Sequence, residues 1–148
     1  MNAVKNENGV VMVEFALVLV PLLLVLVGML QFGVVLNAKI DETHLTSSGA
    51  RYTAVNQNPG AGDGLSLQDY LKARADTENL RTLASVCVEY PVNSETGTSG
   101  EIGDPVRVTM SYPYDLVPLL GGATLSIIGD ATMRLEAVPD DISEGCSS

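Results

Sequence analysis

NGVVMVEFALVLVPLLLV, Asn8–Val25, decides how the rest of the chain is read. It is apolar enough to cross a membrane, yet it carries Glu14 near one end, five residues after Gly9. An ionised carboxylate in hydrocarbon costs about 2.5–3.5 kcal/mol near a helix centre on insertion scales. Either a partner offsets that cost, or the residue sits where the cost is small. Downstream of Glu14, 24 uncharged residues run from Phe15 to Ala38 before Lys39. About 20 helical residues at about 1.5 Å each span a hydrocarbon core of about 30 Å. The spacing therefore predicts one transmembrane helix over residues 10–36. A cleaved secretory signal would have a core of about 7–15 apolar residues and a small-residue cleavage site after it. This core is longer, and QFGVVLNAKIDE continues the helical pattern. Pro21 lies inside the helix, where it cannot donate to the Leu17 carbonyl, so a mild kink is expected.

The positive-inside rule counts one lysine on each side, Lys5 before the helix and Lys39 after it. The amino-terminal charge and the acidic bulk downstream break the tie. They favour a cytoplasmic N-terminus and a C-terminal domain, residues 37–148, outside. Over all 148 residues there are 8 Lys and Arg against 18 Asp and Glu, a formal net charge of −10. That balance excludes the basic surface that nucleic-acid phosphates require and suits a solvated exterior. With no Trp and two Phe there is little to line an aromatic ligand pocket.

The outer region reads as α+β. The long helix is expected to run on to about Val55, with Val34, Ala38, Leu45, Gly49 and Tyr52 on one face, interrupted by Asp41. NQNPGAGDG, dense in turn formers, ends it. Ser66 with Asp69 can cap a second helix through about Ala75 or beyond. Three segments then alternate with period two: SVCVEYP, VRVTMSY and ATMRLEA. Val86, Val88 and Tyr90 share one face of the first. Val106, Val108, Met110 and Tyr112 share one face of the second, and Ala131, Met133, Leu135 and Ala137 one face of the third. Such alternation marks a half-buried antiparallel sheet of about three strands, which the outer half of the long helix can cover. Gly129 is expected to mark a bulge in a strand beginning near Leu125. NSETGTSGEIGD reads as a polar loop.

The two cysteines, Cys87 and Cys146, have no C-x-x-C spacing, so a zinc or thioredoxin-like site has no support. In an oxidising compartment the pair can form one disulfide; otherwise they are two thiols, one in a strand and one in a tail. His44 has no second histidine or cysteine beside it and reads as a solvated helical residue. Ser47 and Ser48 form no G-x-S-x-G elbow. Asp140, Asp141 and Glu144 lack the spacing of an EF-hand loop. Nothing here supplies a constellation for acid–base or nucleophilic chemistry. The expectation is a protein that is not an enzyme, with no cofactor, no metal, no nucleic acid and no evident small-molecule substrate.

Several blocks together carry a resemblance. GVVMVEF places a glycine five residues before a glutamate that an aromatic follows. EFALVLVPLLLVLVGMLQFGVVLNAKIDE, SSGARYTAV, VRVTMSYPYDLVPLL and ATMRLE follow in order. In these the chain resembles type IV pilin-like proteins, and more closely the TadE-like pseudopilins of tight-adherence (Tad/Flp pilus) systems. The resemblance is densest over residues 9–55. It implies a leader, residues 1–9, removed by a membrane prepilin peptidase that cuts between Gly9 and Val10. The leader MNAVKNENG, with Lys5 offset by Glu7, is less basic than such leaders tend to be.

Cleavage would leave a positive amine on Val10, four residues before Glu14. On a neighbouring copy that carboxylate can pair with the amine and fix the axial register of stacked helices, with Phe15 beside it. The partners implied are the peptidase, other pilins, Tad assembly proteins and inner-membrane lipid. The function implied is that of a minor pilin or pseudopilin in a pilus serving adherence, biofilm formation or secretion. The alternative is an uncleaved single-pass protein whose outer domain binds a partner or ligand, with Glu14 reaching into interfacial water.

Overall fold

The structure is a computed structural model describing residues 7–115, 122 and 124–147. Most of the leader, residues 1–6, and the stretch DLVPLL beyond Asp115 lie outside the described residues. Two units divide at Val34/Val35. The first consists of the opening part of helix α1 (Glu7–Ala54), which is unbroken through Pro21. From Val10 the helix is long and apolar enough to cross a membrane, with mean hydropathy 3.0 over an 18-residue stretch.

The second unit starts within the same helix, which ends one residue short of the expected Val55. Asn56 takes a positive φ of 50°. The Gln57 N–H donates to the Tyr52 carbonyl over 2.9 Å and the Asn56 N–H to the Thr53 carbonyl over 3.1 Å. This pair of bonds closes the last turn with asparagine in the left-handed position. The Ala54 carbonyl is satisfied from elsewhere, accepting from the N–H groups of Glu136 and Ala137 at 2.7 and 3.2 Å.

A 3-10 turn (Ala61–Asp63) leads to α2 (Leu67–Ala73) and α3 (Glu78–Leu83). Ser66 caps α2 as its sequence predicts, its Oγ accepting from the Asp69 N–H at 3.1 Å. The helix stops at Ala73, short of Ala75, and the separate α3 was not anticipated. Ala75 and Leu80 are both buried, so the segment turns to bring two apolar residues into the core instead of continuing straight.

Four strands follow: β1 (Ser85–Glu89), β2 (Pro105–Asp115), β3 (Thr124–Arg134) and β4 (Gly145–Ser147). They form one antiparallel sheet in the order β3-β2-β1-β4. Three strands were expected. The fourth is three residues long, too short to show alternation. The inward faces are the expected ones: Val86 and Val88 in β1, and Val106, Val108, Met110 and Tyr112 in β2, all buried. Burial of each such side chain stabilises the fold by about 1.5–3 kcal/mol. β3 starts at Thr124, beside the expected Leu125, and Leu135 is buried just past its end.

The expected bulge at Gly129 is absent. The β2–β3 register runs unbroken from Pro105↔Arg134 to Asp115↔Thr124, with Gly129 opposite Met110. The glycine answers a different demand: a Cβ placed on it would lie 3.1 Å from the Cβ of Glu42. Helix and strand backbones meet here at a distance that suits glycine. The covering face of α1 is built from small residues, with Ala38, Gly49, Ala50 and Ala54 buried. Buried Thr46 and Thr53 return their hydroxyls to the carbonyls of Glu42 and Gly49, both at 2.9 Å.

Candidate functional site

Gly9, Val10, Glu14 and Phe15 all lie on α1. A rise of about 1.5 Å per residue puts Val10 and Glu14 about 6 Å apart along the axis, one turn of the same helix. Val10 is 69% exposed and Phe15 66%. Between Val10 and Ala38 the helix carries one ionisable side chain, Glu14, which is exposed. Val11, Met12, Val13, Leu17, Val18, Leu22, Leu26 and Met29 are exposed around it, so the segment is apolar on every side. A helix apolar all round seeks a membrane or a bundle of other helices instead of water.

Cys87 and Cys146 are bridged, with S–S 2.04 Å. They face each other in the β1–β4 register, and the bridge fastens β4 to the side of β1 that β2 does not occupy. Other bonds hold the same segment. Gln68 Nε2 donates to the carbonyls of Ser143 (3.2 Å) and Gly145 (3.4 Å). The Tyr90 hydroxyl donates to the Ile142 carbonyl at 2.9 Å. Burial, with Glu144 nearby, pushes the Tyr90 phenol up to about 12, so it stays a donor at neutral pH.

A second carboxylate gathers a loop. Asp104 is 2% exposed and accepts from Asn93 Nδ2 (3.0 Å), Thr98 Oγ1 (3.0 Å), the Glu101 N–H (3.1 Å) and Thr96 Oγ1 (3.3 Å). Burial pushes its pKa up, but the four donors outweigh burial and hold the group below its ordinary value. The polar loop of the sequence is thus tied down by one aspartate.

The residue that sequence reasoning missed is Glu42. It is 0% exposed, and neither carboxylate oxygen has a hydrogen-bond partner among the described residues. Burial raises it from 4.5 to about 7, against the opposing charge of Lys39 and with a further upward push from Asp41. The signal was present in the spacing. Ala38, Glu42, Leu45 and Gly49 fall on one face at 100° per residue, whereas Asp41, first read as the interruption, sits at its margin. Asp41 is half-buried and accepts the Asp76 N–H at 2.9 Å.

The remaining polar candidates stand apart from one another. His44 is exposed, and the Ser47 hydroxyl donates to the Thr43 carbonyl at 2.7 Å. Asp140, Asp141 and Glu144 are exposed, the Asp141 N–H binding Asn56 Oδ1 at 3.1 Å. Among the described residues no group of three or more His, Cys, Asp or Glu side chains is placed to hold a metal ion.

Residues 9–51 match the TadE-like protein family. The match begins at Gly9, takes in the apolar part of α1, and ends three residues before that helix does. No curated protein and no solved structure matches the chain.

Proposed function

We propose that this chain, TadE-like over residues 9–51, is a minor pilin or pseudopilin that takes part in assembling a Tad-type pilus. One observation carries the reading. The part of α1 from Val10 to Ala38 carries a single ionisable side chain, Glu14, one turn after Val10, in an apolar stretch inside the TadE-like segment. A membrane peptidase removes residues 1–9, and the new Val10 amine pairs with Glu14 of a neighbouring subunit. The helix waits in the bacterial inner membrane with its N-terminus on the cytoplasmic side, then packs among other pilin helices. The chain does no chemistry of its own; its partners are the peptidase, other pilins and Tad assembly proteins. The Cys87–Cys146 bridge supports a sheet domain exported to an oxidising compartment.

The test is Glu14→Ala. The variant should insert and be cut after Gly9, then fail to associate. Loss of one partner from a buried ion pair costs about 3–5 kcal/mol, enough to remove most assembled subunits. The assay is a count of surface pili together with crosslinking to partner pilins. Normal pili and crosslinks from fully processed Glu14→Ala would overturn the pairing and leave Glu14 as an interfacial side chain.

A further inference from the structure

Glu42 sits where α1 crosses β3, and the crossing is tight. Gly129 on β3 would place a Cβ 3.1 Å from the Glu42 Cβ, 3.3 Å from its carbonyl carbon and 3.4 Å from its carbonyl oxygen. The side chain is fully enclosed, and both carboxylate oxygens are buried without a donor among the described residues. A carboxylate left unpaired in such a place is far costlier than a neutral carboxyl. We propose that Glu42 is a proton-operated latch: protonated, it lets α1 close on β3 at Gly129, and ionised, it drives local opening of that edge strand. The latch does not depend on the assembly reading.

The surroundings leave the latch few ways of being neutralised. On α1 itself the charged neighbours are Lys39 and Asp41, of opposite sign. Lys39 is committed elsewhere, since its ammonium donates to the Ile128 carbonyl of β3. Asp41 is engaged by the Asp76 N–H of the segment after α2. The inward positions of β3 are Ile127, Gly129, Ala131 and Met133, none of them ionisable, while Asp130 and Arg134 point outward and are exposed. β2 contributes two ionisable groups to the inner face, the buried Tyr112 phenol and the half-buried Tyr114 phenol, neither of them hydrogen-bonded to Glu42. β3 is also the strand best placed to respond. Among the described residues it is an edge of the sheet, paired only with β2, and Ile128 is half exposed on its other face. Edge strands open at lower cost than central ones.

The sign follows from linkage. A carboxyl raised from 4.5 to about 7 makes the closed state bind more protons than the open one. Closure is therefore strongest below pH 4.5 and is lost as pH rises through about 7. The full span corresponds to roughly 300-fold in the opening equilibrium, of which roughly 50–100-fold falls between pH 5 and 8.

The experiment is hydrogen–deuterium exchange of the full chain in detergent micelles, corrected for intrinsic exchange rates. Between pH 5 and 8, opening at the β3 amides should rise roughly 50–100-fold, while the β1 amides change little. Glu42→Gln, which keeps the shape and removes the titration, should hold β3 closed at both ends of the range. Tyr112→Phe should keep the wild-type dependence. A β3 opening flat in pH, or one equally steep in Glu42→Gln, overturns the latch. A carboxyl titration followed by NMR gives an independent reading on the unaltered protein: a Glu42 midpoint near 7 supports the latch, and one below 5 overturns it.

Discussion

Gly49 of α1 lies under Leu71 of α2, so close that a Cβ on the glycine would stand 2.6 Å from Leu71 Cδ1 and 3.2 Å from Val108 Cγ1. All three residues are buried, and the missing side chain is what lets helix, helix and sheet meet at one point. In a helix interior Gly→Ala ordinarily stabilises by about 1 kcal/mol, whereas overpacking a filled core costs about 1–3 kcal/mol. Overpacking should win. Gly49→Ala should lower the stability of the outer unit by about 1 kcal/mol, read from its chemical denaturation midpoint, and Gly49→Val by more. Gly28→Ala and Gly33→Ala, where an added Cβ meets nothing within 4 Å, should not destabilise. A stabilised Gly49→Ala would show that Leu71 gives way freely.

The Cys87–Cys146 bridge closes a loop with a sequence separation of 59. In the chain-entropy account a loop of that size contributes roughly 4 kcal/mol. The double variant Cys87→Ser with Cys146→Ser should lose a stability of that order in urea titration, with β4 the first element to exchange its amides. Little change in stability would mean that the bonds from Gln68 and Tyr90 hold the segment without the bridge.

Asp104 should govern the order of residues 93–104. Its carboxylate is held below its ordinary value of 3.8 by donors that outweigh burial. A group depressed in the folded state contributes stability above its unfolded value, and that contribution disappears as pH falls through the folded value. The loop should stay protected from proteases at neutral pH and become susceptible only below pH 3.8, with an acid protease as the probe. Asp104→Ala should be cut within the loop at neutral pH while the sheet remains intact. A loop equally resistant in Asp104→Ala would assign its order to the backbone turns alone.

Much of this architecture is legible in the residues because period and turn chemistry act locally. The alternation in Val106, Val108, Met110 and Tyr112 states which way β2 faces, and Ser66 with Asp69 states where α2 starts. What stayed hidden depends on contacts between distant segments. β4 exists because Cys146 is held beside Cys87, and three residues carry no period. α3 is separated from α2 by the burial of Ala75 and Leu80, which no single-segment pattern announces. Gly129 advertises a special backbone need, but a bulge and a close approach to Glu42 look the same in one dimension. Glu42 was legible as a charge on the apolar face of α1; its lack of a partner among the described residues became visible only once β3 was in place. For the apolar segment the sequence already carries the argument, since the proposed pairing of Glu14 with a Val10 amine lies between copies and not within this fold.

The central claim is that this chain is a processed pilin-like subunit, and intact mass measurement of the membrane-associated protein tests it most directly. In cells with an active prepilin peptidase, the chain should begin at Val10, and Gly9→Leu should leave the leader in place because the peptidase needs a bare backbone there. A wild-type chain that still begins at Met1 in such cells would contradict the account.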